Sequence, residues 1–404
     1  MFVNYGTTNK WYVFVLAGLT QALAIGMAES CMPVLFAEIA EDLNLSLVQI
    51  GTVWGIVPLG SVTILFIGGF LCDRFGVKRT IITVCFLAGI TGAMRGLSSG
   101  FGSLVAFSFF FGVCSALIPL GLTKASRIWF PSNQLGLATS AIMTGGGIGS
   151  ATAAMISATF LSPLLGGWRS VLFLYGAISV LLGIIWLVTI KDNQQERLTR
   201  AKTNIPFSEE ILHVLRIRAV WLLGITVFTY VGGMRAIEGY LPIYLRESGW
   251  TAVNADGAVA VLALTATAGA IPLALLSDRI GRRKFVTVPA VLIAIVCAAL
   301  LSTVTNAVVW GIVMILAIFR QATIALTVTM CMETEGVGVE HGGMAIGLIY
   351  TIQRMGVFMA PPLGNSLASI GLGIPFLFWS MLFAIGAFVS IFLVKETGWK
   401  AKKD

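Results

Sequence analysis

Charge is scarce in this chain. Only 11% of its 404 residues are Asp, Glu, Lys or Arg, against about a quarter in an average water-soluble domain. There are just two histidines, His213 and His341, which argues against a histidine metal centre. The six cysteines, Cys31, Cys72, Cys85, Cys114, Cys297 and Cys331, show no Cys-x-x-Cys spacing and sit in or beside apolar runs. They read as small packing residues, not as a disulfide set or metal ligands. No nucleotide-binding glycine loop, nucleophile constellation or metal-ligand cluster is present, so neither an enzyme nor a resident cofactor is expected.

What is abundant is hydrocarbon. Hydrophobic residues make up 57% of the chain and mean hydropathy is +0.93. Such a chain cannot cover itself with polar side chains and must use lipid as solvent. Twelve apolar runs recur: Trp11–Phe36, Leu47–Leu71, Thr80–Leu97, Gly102–Thr123, Leu135–Leu161 and Trp168–Ile190, then Ala219–Leu245, Val259–Leu276, Phe285–Val304, Val308–Met330, Met344–Leu367 and Ile374–Val394. Each is near the ~20 residues that cross a ~30 Å hydrocarbon core as a helix. Backbone groups in lipid must pair internally, so twelve transmembrane helices are predicted in an all-α integral membrane protein. The first run is longer than the apolar core of a secretory signal and is expected to be retained.

The net charge of +8 would raise the question of nucleic acid in a soluble protein, but here it sorts by side of the membrane. With the N-terminus inside, most basic residues, among them Arg74, Lys78, Arg79, Arg279, Arg282, Arg283 and Lys284, fall in cytoplasmic segments. The external side keeps Arg95, Arg169 and Arg246. This asymmetry places both termini in the cytoplasm, in the cell membrane, with lipid and not nucleic acid as the surroundings. Glu333, Glu335 and Glu340 are acidic in a predicted cytoplasmic loop, but acidic residues weigh little in that rule. The longest polar segment, 191–218, divides the chain into an N-terminal bundle (1–190) and a C-terminal bundle (219–404) of six helices each. Within it, SEEILHVL has the pattern of a short amphipathic helix lying on the membrane surface.

The halves repeat one another. ESCMPVLFAE, starting at Glu29, aligns with EGYLPIYLRE, starting at Glu238, so that both Glu and the Pro coincide. GFLCDRFGVKR, from Gly69 to Arg79, aligns with ALLSDRIGRRK, from Ala274 to Lys284. An internal repeat at half-length suggests a transporter built of two related bundles. The pattern Gly-x3-Asp-x2-Gly-x2-Arg, filled by Gly69, Asp73, Gly76 and Arg79, resembles the signature loop of the major facilitator superfamily. The second copy keeps Asp278, Gly281 and Lys284, with Ala274 at the first Gly position. The resemblance implies two pseudo-symmetric six-helix bundles, alternating access by rocking of the halves, and a latch in which Asp73, Arg79 and Asp278 take part. Ser150 stands where exchangers of the family often carry Pro, and Ser108 where many proton-coupled members carry Arg.

Arg354, in YTIQRMGVFM, lies twelve residues beyond Gly342, roughly 18 Å deep at about 1.5 Å per residue. Arg320 lies at similar depth in predicted helix 10, and Arg235 in predicted helix 7. Each costs about 2.5–3.5 kcal/mol at a helix centre, so such residues normally face an internal cavity. Glu238, one turn beyond Arg235, can neutralise it locally, and Arg320 or Arg354 can pair across a cavity with Glu29 or Glu238. Three arginines still exceed two carboxylates, and a guanidinium binds a carboxylate or phosphate through two parallel hydrogen bonds. A small anionic substrate is therefore expected at Arg235, Arg320, Arg354, Gln321 and Tyr350. Glu29 and Glu238 are candidates to carry a coupling proton, since a carboxylate in a low-dielectric cavity can exchange protons near neutral pH. Gln21, Tyr230, Tyr240 and Gln353 could complete a polar cavity.

The expectation is thus a monomeric secondary transporter moving a small, organic anion in symport with protons. The alternatives are an anion exchanger, an exporter of amphipathic compounds, or a membrane sensor that does not transport. The short tails argue against the last.

Overall fold

The computed structural model describes residues 10–130, 135–190 and 207–397, except the side chains of 65–74, 127–128, 135–141, 207–210, 271, 274, 278 and 338–340. Among the described residues, twelve helices are long and apolar enough to cross a membrane: α1 (Trp11–Leu43), α2 (Leu47–Ile64), α3 (Val77–Leu97), α4 (Phe101–Ser126), α5 (Ile142–Leu165), α6 (Trp168–Thr189), α7 (Arg218–Glu247), α8 (Ala252–Ser277), α9 (Lys284–Leu301), α10 (Val308–Glu333), α11 (His341–Ser369) and α12 (Ile374–Leu393). No strand occurs among the described residues. The fold is all-α.

Local chemistry sets where the helices stop. α1 ends on Asn44 in a left-handed conformation (φ 51°). Ser46 and Gln49 then form a reciprocal capping box, with Ser46 N donating to Gln49 Oε1 at 2.9 Å and Gln49 N to Ser46 Oγ at 3.3 Å. Gly76 (φ 88°) and Gly281 (φ 72°) sit at the two signature-loop turns, in a region of φ that side-chain-bearing residues avoid.

Two departures from the predicted runs bear on the sites described below. α1 continues past Phe36 because its acidic last turns are anchored. Glu38 accepts from Ser162 Oγ at 2.6 Å and from Trp168 N at 2.8 Å, while Asp42 pairs with Arg169. α10 is interrupted at Phe319, so that a new helical segment begins at Arg320.

The chain forms two compact units, Met1–Leu45 with Gly60–Lys202, and Ser46–Leu59 with Thr203–Asp404. In the first unit, glycines let backbones touch. A Cβ on Gly26 of α1 would lie 2.7 Å from Gly146 O of α5, and Gly89 and Gly176 meet in the same way between α3 and α6. Buried polar groups are satisfied across helices, Trp186 Nε1 donating to Thr20 Oγ1 at 2.9 Å and Ser179 Oγ to Cys85 O at 2.9 Å. In the second unit α7 is the most deeply buried span. It packs on α11, with Gly232 against Gly356, and on an aromatic cluster of Phe376, Trp379 and Phe383 from α12. The first part of α2, within Ser46–Leu59, also belongs here, its Gly51 and Gly55 resting on Pro362 and Phe358 of α11.

At the end where α8 meets α9, Arg283 is buried and pairs with Glu333 at 2.9 Å. That contact gives a local reason for one acid in an otherwise basic region. Lys284 Nζ caps the end of α12 through Ile391 O (2.8 Å) and Val394 O (3.0 Å). A connecting helix, Phe207–Leu215, precedes α7. It carries His213, whose ring lies 4.2 Å from that of His341.

Candidate substrate site

The helical register of α7 presents Arg235 and Glu238 one turn apart. Glu238 is 3% exposed, so its charge needs partners. Arg235 Nη1 donates to its Oε2 at 3.3 Å, and Arg320 Nη2, from α10, donates to the same Oε2 at 2.8 Å. One carboxylate therefore serves two guanidinium groups. The three-residue cluster carries one net positive charge inside the span, where the low dielectric makes that charge expensive.

Two further features hold the cluster. The guanidinium of Arg235 lies over the ring of Trp54, 3.5 Å from its centroid, and Trp54 Nε1 donates to Arg235 O at 2.9 Å. Trp54 comes from the first half of α2, 181 positions away in sequence, and fits because Gly239 leaves room for its ring. Arg320 follows the interruption at Phe319, which places it on the first turn of the second segment of α10. Among the described residues it makes no hydrogen bond besides that to Glu238. The Tyr230 hydroxyl is fully buried, close to Thr323 but outside standard hydrogen-bond geometry, and in the electrostatic neighbourhood of Arg320.

The other expected site residues are placed as follows. Arg354 is half-buried on α11, within electrostatic reach of Tyr350, one turn earlier. Gln353, beside it, is buried. Gln321 is exposed, on a different face of α10 from the Arg320–Glu238 contact. In the first unit, Glu29 is half-buried on α1 and lies in the electrostatic neighbourhood of Arg95. Of the signature loop, Arg79 is exposed, whereas the side chains of Asp73 and Asp278 and the surroundings of Gly69 lie outside the described residues.

Sequence reasoning missed Trp54 and the role of Arg95. Arg95 is 1% exposed, not a loop charge. Its Nη2 donates to Ala28 O at 2.8 Å and its Nε to Gly92 O at 3.2 Å, and it lies 4.0 Å from the centroid of Phe111. Its position beside the SSGFG turn hid this, because nothing in the local sequence announces two carbonyls waiting for a donor. The other arginines expected on the external side are also engaged, Arg246 with buried Asp256 at 2.6 Å and Arg169 with Asp42.

Among curated proteins, the chain is 25% identical to the sialic acid transporter NanX of Escherichia coli, over 83% of this chain and 82% of that one. It is 23% identical to the hexuronate transporter of Bacillus subtilis over 55% of this chain and 54% of that one. It is 26% identical to the probable nitrate/nitrite antiporter NarK1 of Thermus thermophilus, over 62% and 58%. The match thus spans little more than half the length of the latter two relatives. Among solved structures, a point mutant of the nucleoside transporter NupG superposes with a TM-score of 0.80 at 13% identity, covering 95% of this chain and 100% of that one. A bacterial homologue of the lysosomal transporter Spinster gives 0.78 at 15%, covering 94% and 96%. At these identities the structures speak to the fold alone. The Major Facilitator Superfamily profile matches residues 17–361, and with twelve spans in the matching architecture the chain belongs to that superfamily.

Proposed function

We propose that this protein is a secondary transporter of a small organic anion, working by alternating access as a monomer in the cell membrane, with both termini cytoplasmic. One observation carries the reading: inside the membrane, a single carboxylate, Glu238, is shared by Arg235 and Arg320, so that their cluster keeps a positive charge. A substrate carboxylate is the natural complement of that charge. The names of similar proteins, hexuronate, sialic acid, galactarate/D-glucarate and nitrate/nitrite transporters, describe anions and agree with this chemistry. An exporter of amphipathic cations would call for an acidic cavity instead. Arg354 and Tyr350 contribute the α11 side of the site.

Coupling to protons follows from charge balance. A proton taken up by Glu238 or Glu29 offsets the charge of the incoming anion, so the loaded carrier crosses with the charge of the empty one. The test uses purified protein in liposomes and uptake of carboxylates, sugar acids, sulfoacetate, nitrate and phosphate, with and without a pH gradient. Stimulation by an alkaline interior is expected. Strict dependence on internal counter-substrate would make the protein an exchanger, and uptake of amphipathic cations alone would overturn the anion reading. Arg354→Gln is expected to abolish uptake while leaving a monodisperse protein, and a fully active variant would remove Arg354 from the site.

A further inference from the structure

We infer that Glu238 is a resident stand-in for the substrate's carboxylate, occupying the binding position on Arg320 whenever the site is empty. This rests on the anion-site reading above and adds what happens at that site before substrate arrives.

The geometry is unequal. Glu238 Oε2 is held at 2.8 Å by Arg320 and at 3.3 Å by Arg235. The first contact crosses from α7 to α10, whereas the second lies one turn along the same helix. Arg235 is in turn fixed through Trp54, which stacks on its guanidinium and bonds its carbonyl. The pair Arg235–Glu238 thus forms a braced unit on α7. An incoming carboxylate can replace Oε2 on Arg320 when the Glu238 side chain turns away from Arg320 and keeps Arg235 as its partner. On the same helix the buried Tyr230 hydroxyl lies in the electrostatic neighbourhood of Arg320, two turns from Glu238. No covalent bond changes; one charge-assisted hydrogen bond is exchanged for another.

This arrangement has two consequences. Substrate binds in competition with a tethered anion, so its apparent affinity is lower than the naked site would give. The empty carrier also retains a counter-charge on Arg320, which lowers the electrostatic cost of its return without cargo.

The experiment measures the anion concentration that half-maximally raises the melting temperature of detergent-purified protein. D-glucuronate, D-glucarate, N-acetylneuraminate, sulfoacetate and nitrate are the probes, on wild type, Glu238→Gln, Glu238→Asp and Arg320→Gln. A charged hydrogen bond of the Glu238 kind corresponds to a factor of about ten or more in a binding constant. Glu238→Gln should therefore lower the half-saturating concentration of the best probe about tenfold. Glu238→Asp, one methylene short of Arg320, should lower it by a smaller factor, and remains readable if the Gln variant does not fold. Arg320→Gln should lose the effect. In liposomes, the ratio of exchange to net uptake should rise about tenfold or more in Glu238→Gln, since the uncompensated empty carrier returns poorly. If no probe stabilises wild type, the anion-site reading falls and this inference with it. If probes stabilise wild type and Arg320→Gln loses the effect, but both Glu238 variants bind no more tightly than wild type, the anion site stands and the stand-in role is overturned.

Discussion

The repeated segment of α1 and α7 can be compared position by position at an offset of 209, since Glu29, Pro33 and Glu38 correspond to Glu238, Pro242 and Glu247 (238−29, 242−33 and 247−38). Both prolines are buried inside their helices. Gln21 and Tyr230 also correspond, and each holds a buried polar atom without a hydrogen-bond partner among the described residues. The divergence lies one turn before the shared Glu. The first copy has Gly26, pressed so closely on Gly146 that a side chain has no room. The second has Arg235, lying on Trp54 and bonded to Glu238. The same sequence pattern thus serves tight helix packing in one unit and an ion cluster in the other. The buried arginines differ in the same sense. Arg95 is satisfied by backbone carbonyls, which no solute can displace without unwinding a helix, whereas Arg320 is satisfied by a side-chain carboxylate, which a solute can imitate.

Gly26→Arg, which installs the second copy's residue in the first, should break the comparison most severely. The guanidinium has no space against α5, and loss of folded protein in size-exclusion chromatography is expected; a monodisperse, active variant would show that α1 and α5 are not packed as described. Next in size is Arg320→Gln, expected to lower kcat/KM for uptake by about 30-fold or more, the effect of removing one partner of a buried, hydrogen-bonded charge pair (about 2–5 kcal/mol). Arg95→Gln should instead act on stability, costing about 3 kcal/mol through lost charge-assisted bonds, with KM unchanged within about twofold. A KM effect as large as that of Arg320→Gln would erase the distinction between the two arginines. Trp54→Phe keeps a ring beneath Arg235 but loses the bond to its carbonyl, and should lower kcat/KM about threefold, within the range of a single hydrogen bond. Arg169→Gln, at an exposed pair with Asp42, should change stability by less than about 0.5 kcal/mol.

The twelve spans were legible because hydropathy is a local property, and a helix in lipid satisfies its backbone without help from neighbours. The Arg235–Glu238 pair was legible too, because helical spacing alone brings residues one turn apart together. The junction between α8 and α9 shows the limit. Its turn was readable from Gly281, but the burial of Arg283 against Glu333, 50 positions on, was not. The extension of α1 beyond Phe36 likewise depends on partners for Glu38 that lie on α5 and α6, more than 120 positions away.

By itself, the order of residues determined that this chain lives in a bilayer, how many times it crosses, that it is built from two related halves, and that Arg235, Arg320 and Arg354 fall within spans of the second. Only the tertiary structure decided which charges are spoken for. Glu238 could have answered Arg235 alone; folding brought Arg320 onto the same oxygen and Trp54 beneath Arg235. The physical reason is range. Backbone hydrogen bonding and hydropathy act over a few residues, whereas the energy of a buried charge depends on whatever the fold brings within a few ångströms of it, from any distance along the chain.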